Sequence, residues 1–402
     1  MTIASAFAAG VRIRTLVFLF CFNALLYMSF SVLQDDLRAL ASYHLYSSSS
    51  ANVTSNVTGS GTIASNIVQT DDSITLAPDL SPEPQISRKA NATLVFLARN
   101  SDLQGVLKSM ESVETHFNQR FGYPWIFLNE DEFTNEFKES VQLKTNASVQ
   151  FGVIPSRHWY QPDWIDEGKA EQARNALKAA GVIYADSVSY RNMCRFNSGF
   201  FFHHPLLQQY RYYWRIEPDV DYFCQLQYDP FDYLEDNNKT YGFTIALEEL
   251  GQTVTTLWQA VKEFMEQYPE YIHPNNALAF LSDNGGETFN LCHFWSNFEI
   301  ADMDFWRGEA YTKFFEFLDS KGGFYYERWG DAPIHSIAAA LFLDKTQLHF
   351  FNDIGYQHSN IMHCPQQPAF LTGSCTCNRV LSIDYRRYSC LPRYNKMLNG
   401  KW

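Results

Sequence analysis

Two short apolar blocks, ATLVFL at 92–97 and WIFL at 125–128, flank a stretch in which Leu103, Val106, Leu107, Met110 and Val113 recur along one side of a helix. This order limits the fold more than any other feature of the chain. Strands covered on both faces read as unbroken apolar runs, and an intervening helix is the usual connection between parallel neighbours. A third strand at 149–154 and a second helix at 165–180 extend the pattern. The expectation is an α/β domain built on a Rossmann-like mixed sheet. No G-x-G-x-x-G follows these strands and no G-x-x-x-x-G-K occurs, so a glycine-rich phosphate cradle is not indicated. A phosphorylated ligand would then depend on a cation.

Such a cation has an obvious address. The run YRYYWRI (210–216) builds toward a strand and stops at Glu217-Pro218-Asp219-Val220-Asp221. Pro218 removes a ladder donor and fixes φ, so the strand ends where the carboxylates begin. In open α/β sheets the ligand crevice lies just beyond those carboxyl ends. A divalent cation would neutralise the acids and hold a phosphorylated ligand in turn. Asp219 and Asp221 have the D-x-D spacing of many sugar-nucleotide transferases. Positions 217, 219 and 221 share a face only if the chain stays extended past Pro218. A solvated acidic turn would have the same composition.

The N-terminal region points to a compartment. Residues 1–14 carry Arg12 and Arg14 and no acid, 15–33 are apolar and uncharged, and Asp35 and Asp36 follow. About 19 apolar residues at a rise of 1.5 Å suffice for a bilayer's hydrocarbon core, and the charge asymmetry keeps the N-terminus cytosolic. The reading is a cytosolic tail (1–14), an uncleaved transmembrane signal anchor (15–33), a flexible lumenal stem (34–91) and a folded domain (92–402). Glycosylation sequons at Asn52, Asn56, Asn91, Asn146 and Asn238 agree with a secretory location. A formal charge of −13 argues against nucleic acid as a partner. It does not exclude an anionic ligand at a site whose local charge is reversed.

Cys21 falls in the apolar span. Seven cysteines remain at 194, 224, 292, 364, 375, 377 and 390. In an oxidising lumen these are expected as disulfides, with at least one thiol left over, rather than as a zinc site on the last four.

Further along, a strand is expected at 241–247, helices at 253–268, 303–318 and 332–343, and a short strand at 348–351 running into His358. Asp331 in RWGDAP reads as a helix N-cap with proline at N2. Glu299 follows the aromatic run NLCHFWSNF, where burial of a carboxylate needs a reason: catalysis or a buried salt bridge. Tyr190, Arg191 and Arg195 offer a phenol and two cations to a diphosphate, or a salt-bridged surface. Arg99 stands directly after the first strand. His358 is an imidazole on a loop after a strand, structural or ligating, and carboxylate with imidazole suits Mn²⁺ better than Ca²⁺.

Seven blocks in order carry a resemblance: YPWIFLNEDEF (123–133), SYRNMCRFNSGFF (189–201), YYWRIEPDVDYFC (212–224), YGFTIAL (241–247), FNLCHFWSNFEIAD (289–302), FYYERWGDAPIHSIAAALFL (324–343) and FNDIGYQH (351–358). With them the chain resembles the fungal Golgi α-1,2-mannosyltransferases (glycosyltransferase family 15) over about 92–394. These are type II membrane proteins that extend O- and N-linked mannose chains. The resemblance implies a glycosyltransferase A-type fold and retaining transfer of mannose from GDP-mannose to a mannose hydroxyl, with Mn²⁺. It implies Golgi membranes, and mannosylated glycoprotein acceptors as partners. By the same resemblance Glu217 and His358 are the metal ligands, and Glu299 is the nucleophile or the stabiliser of positive charge at C1. Asp331 is then an acid near the reaction centre and Tyr190 lines the donor site. Arg99, Arg195 and Asp219 join Tyr190 as candidate donor contacts. A metal-dependent lumenal hydrolase and a non-catalytic mannan-binding lectin are the competing functions.

Overall fold

Apolar runs without alternation should be covered from both sides, and they are. In the computed structural model, which describes residues 88–399, β1 (Ala92–Leu97), β2 (Trp125–Asn129) and β3 (Val149–Val153) lie parallel in one sheet with β4 (Tyr212–Ile216). Leu94, Phe96, Trp125 and Phe127 enter one core, whereas Val95, Ile126 and Leu128 enter the other. Helix α1 (Leu103–Val113) covers the first face through Val106, Met110 and Val113.

The full sheet adds β6 (Tyr241–Phe243), β9 (Glu299–Asp302) and β10 (Leu348–Phe350) in the order β10-β6-β9-β4-β1-β2-β3. β9 is antiparallel to β4 and β6, and the other neighbours are parallel. The expected mixed sheet is therefore present. A second sheet of three strands joins β5 (Val220–Tyr222), β11 (Tyr356–His358) and β12 (Ile361–His363), while β7 (Ala246–Glu248) pairs with β8 (Cys292–Phe294). On the other core face lie α2 (Glu167–Ala179), α3 (Val188–Gly199), α4 (Leu257–Gln267), α5 (Glu309–Ser320) and α6 (Asp331–Phe342).

Several boundaries depart from the sequence reading. The strand expected at 241–247 divides, because β6 stays in the main sheet and β7 leaves it to pair with β8. The helix expected at 303–318 breaks at Gly308, whose backbone is extended (φ −63°, ψ 154°). Beyond Val113 the first helix widens into a π turn over Glu114–Asn118, where the Glu114 carboxylate accepts from Trp125 Nε1 at 2.7 Å. Asp331 is not the N-cap of α6. Gly330 takes that place, Pro333 is the third helical residue, and the carboxylate is used elsewhere.

Three disulfides, Cys224–Cys375, Cys292–Cys390 and Cys364–Cys377, leave Cys194 as a buried free thiol. The sequons at Asn91, Asn146 and Asn238 are exposed. The expected tail, anchor and most of the stem lie outside the described residues. Among the described residues no helix is long and apolar enough to cross a membrane.

The edge of the small sheet is held by a buried ion pair. His363 Nδ1 lies 2.8 Å from Asp384 Oδ2 and both side chains are nearly inaccessible. Burial disfavours the imidazolium, but the charge and hydrogen bond of Asp384 outweigh it and raise the imidazole above its ordinary value of 6.5. The pair's contribution is thus complete below about pH 6.5 and is lost as pH climbs through the raised folded value. Asp384→Asn is expected to destabilise more at about pH 5.5 than at about pH 9. Denaturant midpoints across that range that fall equally for the variant would contradict the pairing.

Candidate active site

The chain turns sharply where β4 ends. Glu217 projects from the carboxyl edge of the sheet, Pro218 stops the ladder, and Asp219 adopts a left-handed conformation at φ 61°. The turn is pressed against α1 at Gly105: a Cβ there would sit 2.6 Å from Asp219 Oδ2 and 3.1 Å from Pro218 Cβ. Glycine is what allows this approach. The chain then re-enters as β5, whose Val220 is the direct partner of His358 on β11. This pairing returns a residue 141 positions later in the chain to the mouth of β4.

Glu217 and His358 both line a cavity of ≈510 Å³ at the ends of β1 and β4, with Arg99, Tyr190, Trp295 and Asn297. Glu217 Oε1 accepts from Arg215 Nε at 2.7 Å. Its Oε2 has no protein donor among the described residues. His358 is oriented through Nδ1, which lies 2.9 Å from the Asn297 side-chain amide, and its ring packs near Trp295. Burial lowers its pKa, so the neutral ring keeps a lone pair. Asp219 and Asp221, the D-x-D pair, are turned elsewhere: Asp219 lies on Gly105 and Asp221 accepts from Lys108 Nζ at 2.9 Å.

Behind Glu217 sits a charge relay that sequence reasoning missed. Arg215 is 8% exposed, and its Nη1 donates to Asp331 Oδ2 at 2.5 Å. Ser296 Oγ donates to the same oxygen at 2.8 Å. Burial works against ionising Asp331, but Arg215 outweighs it and holds the carboxyl below its ordinary value. Burial likewise opposes the charge on Arg215, and its carboxylate neighbours more than offset this. The signal was a lone arginine inside the apolar strand YYWRI, two residues from Glu217 and hence on its face.

Glu299 is fully buried on β9, directly opposite Arg215 in the ladder. It accepts from Tyr213 OH at 2.7 Å and Tyr241 OH at 3.1 Å, and His335 Nδ1 lies 3.1 Å away. It does not line the large cavity but an adjoining small closed space that also contains Asn197 and Arg215. His335, the one imidazole in the apolar helix α6, was not singled out from sequence.

Tyr190 stands in the first turn of α3, where Ser187 Oγ caps its N–H at 3.0 Å. Its ring stacks on Tyr184 at 4.7 Å and lies beneath the Arg328 guanidinium. Burial raises the phenol well above its ordinary value, so it remains a neutral donor. Arg99 reaches the cavity, paired with Glu130 at 3.1 Å and hydrogen-bonded to Ser189. Arg195 does not: it grips Asp319 through two nitrogens at 2.8 and 2.9 Å. Arg191 is spent on the backbone carbonyls of Ala185, Ser187 and Glu327.

The donor set suits a divalent transition metal. One carboxylate oxygen without a protein donor and one neutral imidazole share a cavity, and nitrogen with oxygen donors fits Mn²⁺. Among the described residues no group of three or more His, Cys, Asp and Glu converges. Glu217 and His358 are an oxygen donor and a nitrogen donor that the cavity brings together.

The chain is similar to several known proteins. A family model described as glycolipid 2-alpha-mannosyltransferase matches residues 49–399. Glycolipid 2-alpha-mannosyltransferase 2 of Candida albicans is 53% identical over 315 residues, 78% of this chain and 68% of that protein. The O-glycoside alpha-1,2-mannosyltransferase omh1 of Schizosaccharomyces pombe is 49% identical, over 79% of this chain and 82% of its own length. Among solved structures, the mannosyltransferase Ktr4p of S. cerevisiae in complex with GDP superposes with a TM-score of 0.74 at 41% identity, covering 77% of this chain and 82% of that one. Core-mannan synthase A of Aspergillus fumigatus in its Mn/GDP form gives 0.72 at 40%, covering 81% and 89%. The chain belongs to the glycolipid 2-alpha-mannosyltransferase family.

Proposed function

We propose that this protein is a glycosyltransferase A-type enzyme that moves mannose from GDP-mannose to a mannose hydroxyl of a glycoprotein glycan, with retention and most readily as an α-1,2 linkage. The observation that carries the reading is the meeting of Glu217 and His358 across one cavity at the carboxyl edge of β4. The GDP bound by Ktr4p and the Mn/GDP form of core-mannan synthase A support the donor and the metal. A type II membrane anchor at 15–33 and a Golgi location complete the proposal, in line with the sequons exposed on the surface.

Glu217 and His358 would hold Mn²⁺, which when bound supplies Lewis-acid charge for a departing diphosphate. Arg215 aims the Glu217 carboxylate by donating to Oε1, and Asp331 fixes Arg215 from behind. Arg99 adds a cation at the cavity wall for phosphate oxygens. Tyr190, kept neutral, donates a hydrogen bond to the bound donor. Glu299 is already engaged by two phenols and an imidazole and lies outside the large cavity. The role it fits is electrostatic: a carboxyl group held in one place by Tyr213, Tyr241 and His335, whose oxygens favour positive character at C1. Glu299→Gln is accordingly expected to lower kcat by about a hundredfold with little change in donor affinity. A pure KM effect would remove it from the reaction.

Incubation of the full-length chain with GDP-mannose, Mn²⁺ and α-methyl mannoside tests the function. The expected product is an α-linked disaccharide whose linkage NMR reads directly. Release of free mannose without acceptor would instead identify a hydrolase, and sugar binding indifferent to GDP-mannose a lectin.

A further inference from the structure

A second cavity, of ≈540 Å³, opens where the end of α3 meets α5, beside the short helix Ser156–Trp159. Its aromatic walls are Trp164, Phe200 and Phe315, and its polar groups include His203, Glu316 and Asp319. None of these has a part in the transfer chemistry.

The walls are held in place from several directions. Gly199 closes α3, and a Cβ there would fall 2.0 Å from the Phe315 ring, so only glycine lets that ring close on the helix end. Phe200 is fixed by His158 stacked at 4.7 Å, by Phe315 edge-on at 5.2 Å and by the Arg195 guanidinium 4.8 Å from its centre. Arg195 also clamps both oxygens of Asp319. Trp164, by contrast, is 51% exposed. Glu316 is exposed too, with no ion-pair partner among the described residues.

Flat apolar faces beside carboxylates and an imidazole match a pyranose, whose C–H face packs on a ring while its hydroxyls donate outward. An anionic ligand is disfavoured by the formal charge of −13 and by the acids in the lining. Of the cations near the lining, Arg195 is already paired with Asp319 and Arg157 donates from Nε to the His158 ring at 3.2 Å. Position strengthens the case. His158 and Trp159 are adjacent in the chain yet line different cavities. Met193, in the wall of the transfer cavity, and Gly199 lie on one helix about 9 Å apart along its axis, the length of a couple of sugar rings.

We propose that this cavity is a second carbohydrate subsite, which holds a neutral hexose of an extended acceptor glycan whose end occupies the transfer cavity. It rests on the mannosyl-transfer reading given above. In the full-length protein, Trp164→Ala is expected to raise KM for a linear α-mannopentaose about tenfold, and Glu316→Gln less. KM for α-methyl mannoside and for GDP-mannose should stay within about twofold of the unaltered protein's. No change with the pentaose, or an equal change with both acceptors, would overturn the subsite.

Binding separates this idea from the transfer reading. Saturation-transfer NMR of the pentaose with Glu217→Ala protein should retain a sugar signal that Trp164→Ala in the same background weakens. A missing pentaose signal sinks the subsite and leaves transfer untouched. A retained signal, together with no turnover by the unaltered full-length protein, sinks transfer and leaves a sugar site. Capture of tetramethylammonium in place of the sugar would mark a cation cage and overturn the proposal.

Discussion

Glu217→Ala is expected to cut kcat/KM for mannosyl transfer by about a thousandfold or more, because several kcal/mol of metal-borne charge stabilisation depend on that carboxylate. The fold should survive. Glu217 sits at a strand end on the cavity wall, and its partner Arg215 retains Asp331. Far-ultraviolet circular dichroism and the denaturation midpoint should therefore change little while turnover collapses. His358→Ala should behave in the same way, since the register between β5 and β11 does not depend on that side chain. Asp219→Ala and Asp221→Ala serve as the contrast. Both acids belong to the conspicuous D-x-D pair, yet neither lines the cavity, and each substitution should leave most activity intact. Loss of turnover in Asp219→Ala equal to that in Glu217→Ala would contradict the assignment.

The second large effect concerns stability as much as catalysis. Arg215→Met leaves the buried Asp331 without its counter-charge, and breaking a buried pair from one side costs about 3–5 kcal/mol. It also releases Glu217, so activity should fall even in the molecules that remain folded. The pH dependence has a definite sign. In the unaltered chain the folded pKa of Asp331 is depressed below 3.8, despite burial, by Arg215. Its contribution is then present above about pH 4 and lost only as pH falls through the lower folded value. Without Arg215, burial dominates and the folded pKa rises, so the variant carries a penalty at neutral pH that shrinks on acidification. The deficit relative to the unaltered chain should thus narrow from about pH 7 to about pH 4. Adding Asp331→Asn to Arg215→Met should recover part of the loss at neutral pH, since no buried charge is then unpaired. A deficit independent of pH, with no recovery in the double variant, would contradict the pairing.

Much of this arrangement was legible from residues alone, for identifiable reasons. The strands expected at 92–97 and 125–128 announce themselves because a sheet covered on both faces demands uninterrupted apolar runs. The turn after Ile216 was readable because Pro218 can only end a strand there. What escaped was tertiary. Asp331 carries every local mark of an N-cap, but Arg215, 116 residues away, takes its carboxylate and leaves the capping position to Gly330. Tyr190 and Arg195 were grouped as one diphosphate contact. Five residues on a helix are about 140° apart in direction, and the structure sends Tyr190 to the transfer cavity and Arg195 to Asp319. The strand at 241–247 divided because pairing with β8 draws its second half away, and pairing partners are invisible to local pattern.

Everything in the catalytic reading converges on one coordination event, and electron spin-echo spectroscopy of Mn²⁺ with GDP examines it directly. The unaltered protein should bind the ion with nuclear modulation from a single imidazole nitrogen. That modulation should vanish in His358→Ala, and Mn²⁺ affinity should drop by at least about tenfold in Glu217→Ala. Nitrogen modulation that persists in His358→Ala, or an unchanged affinity in Glu217→Ala, would show that the cation lies elsewhere and would contradict the site described for this chain.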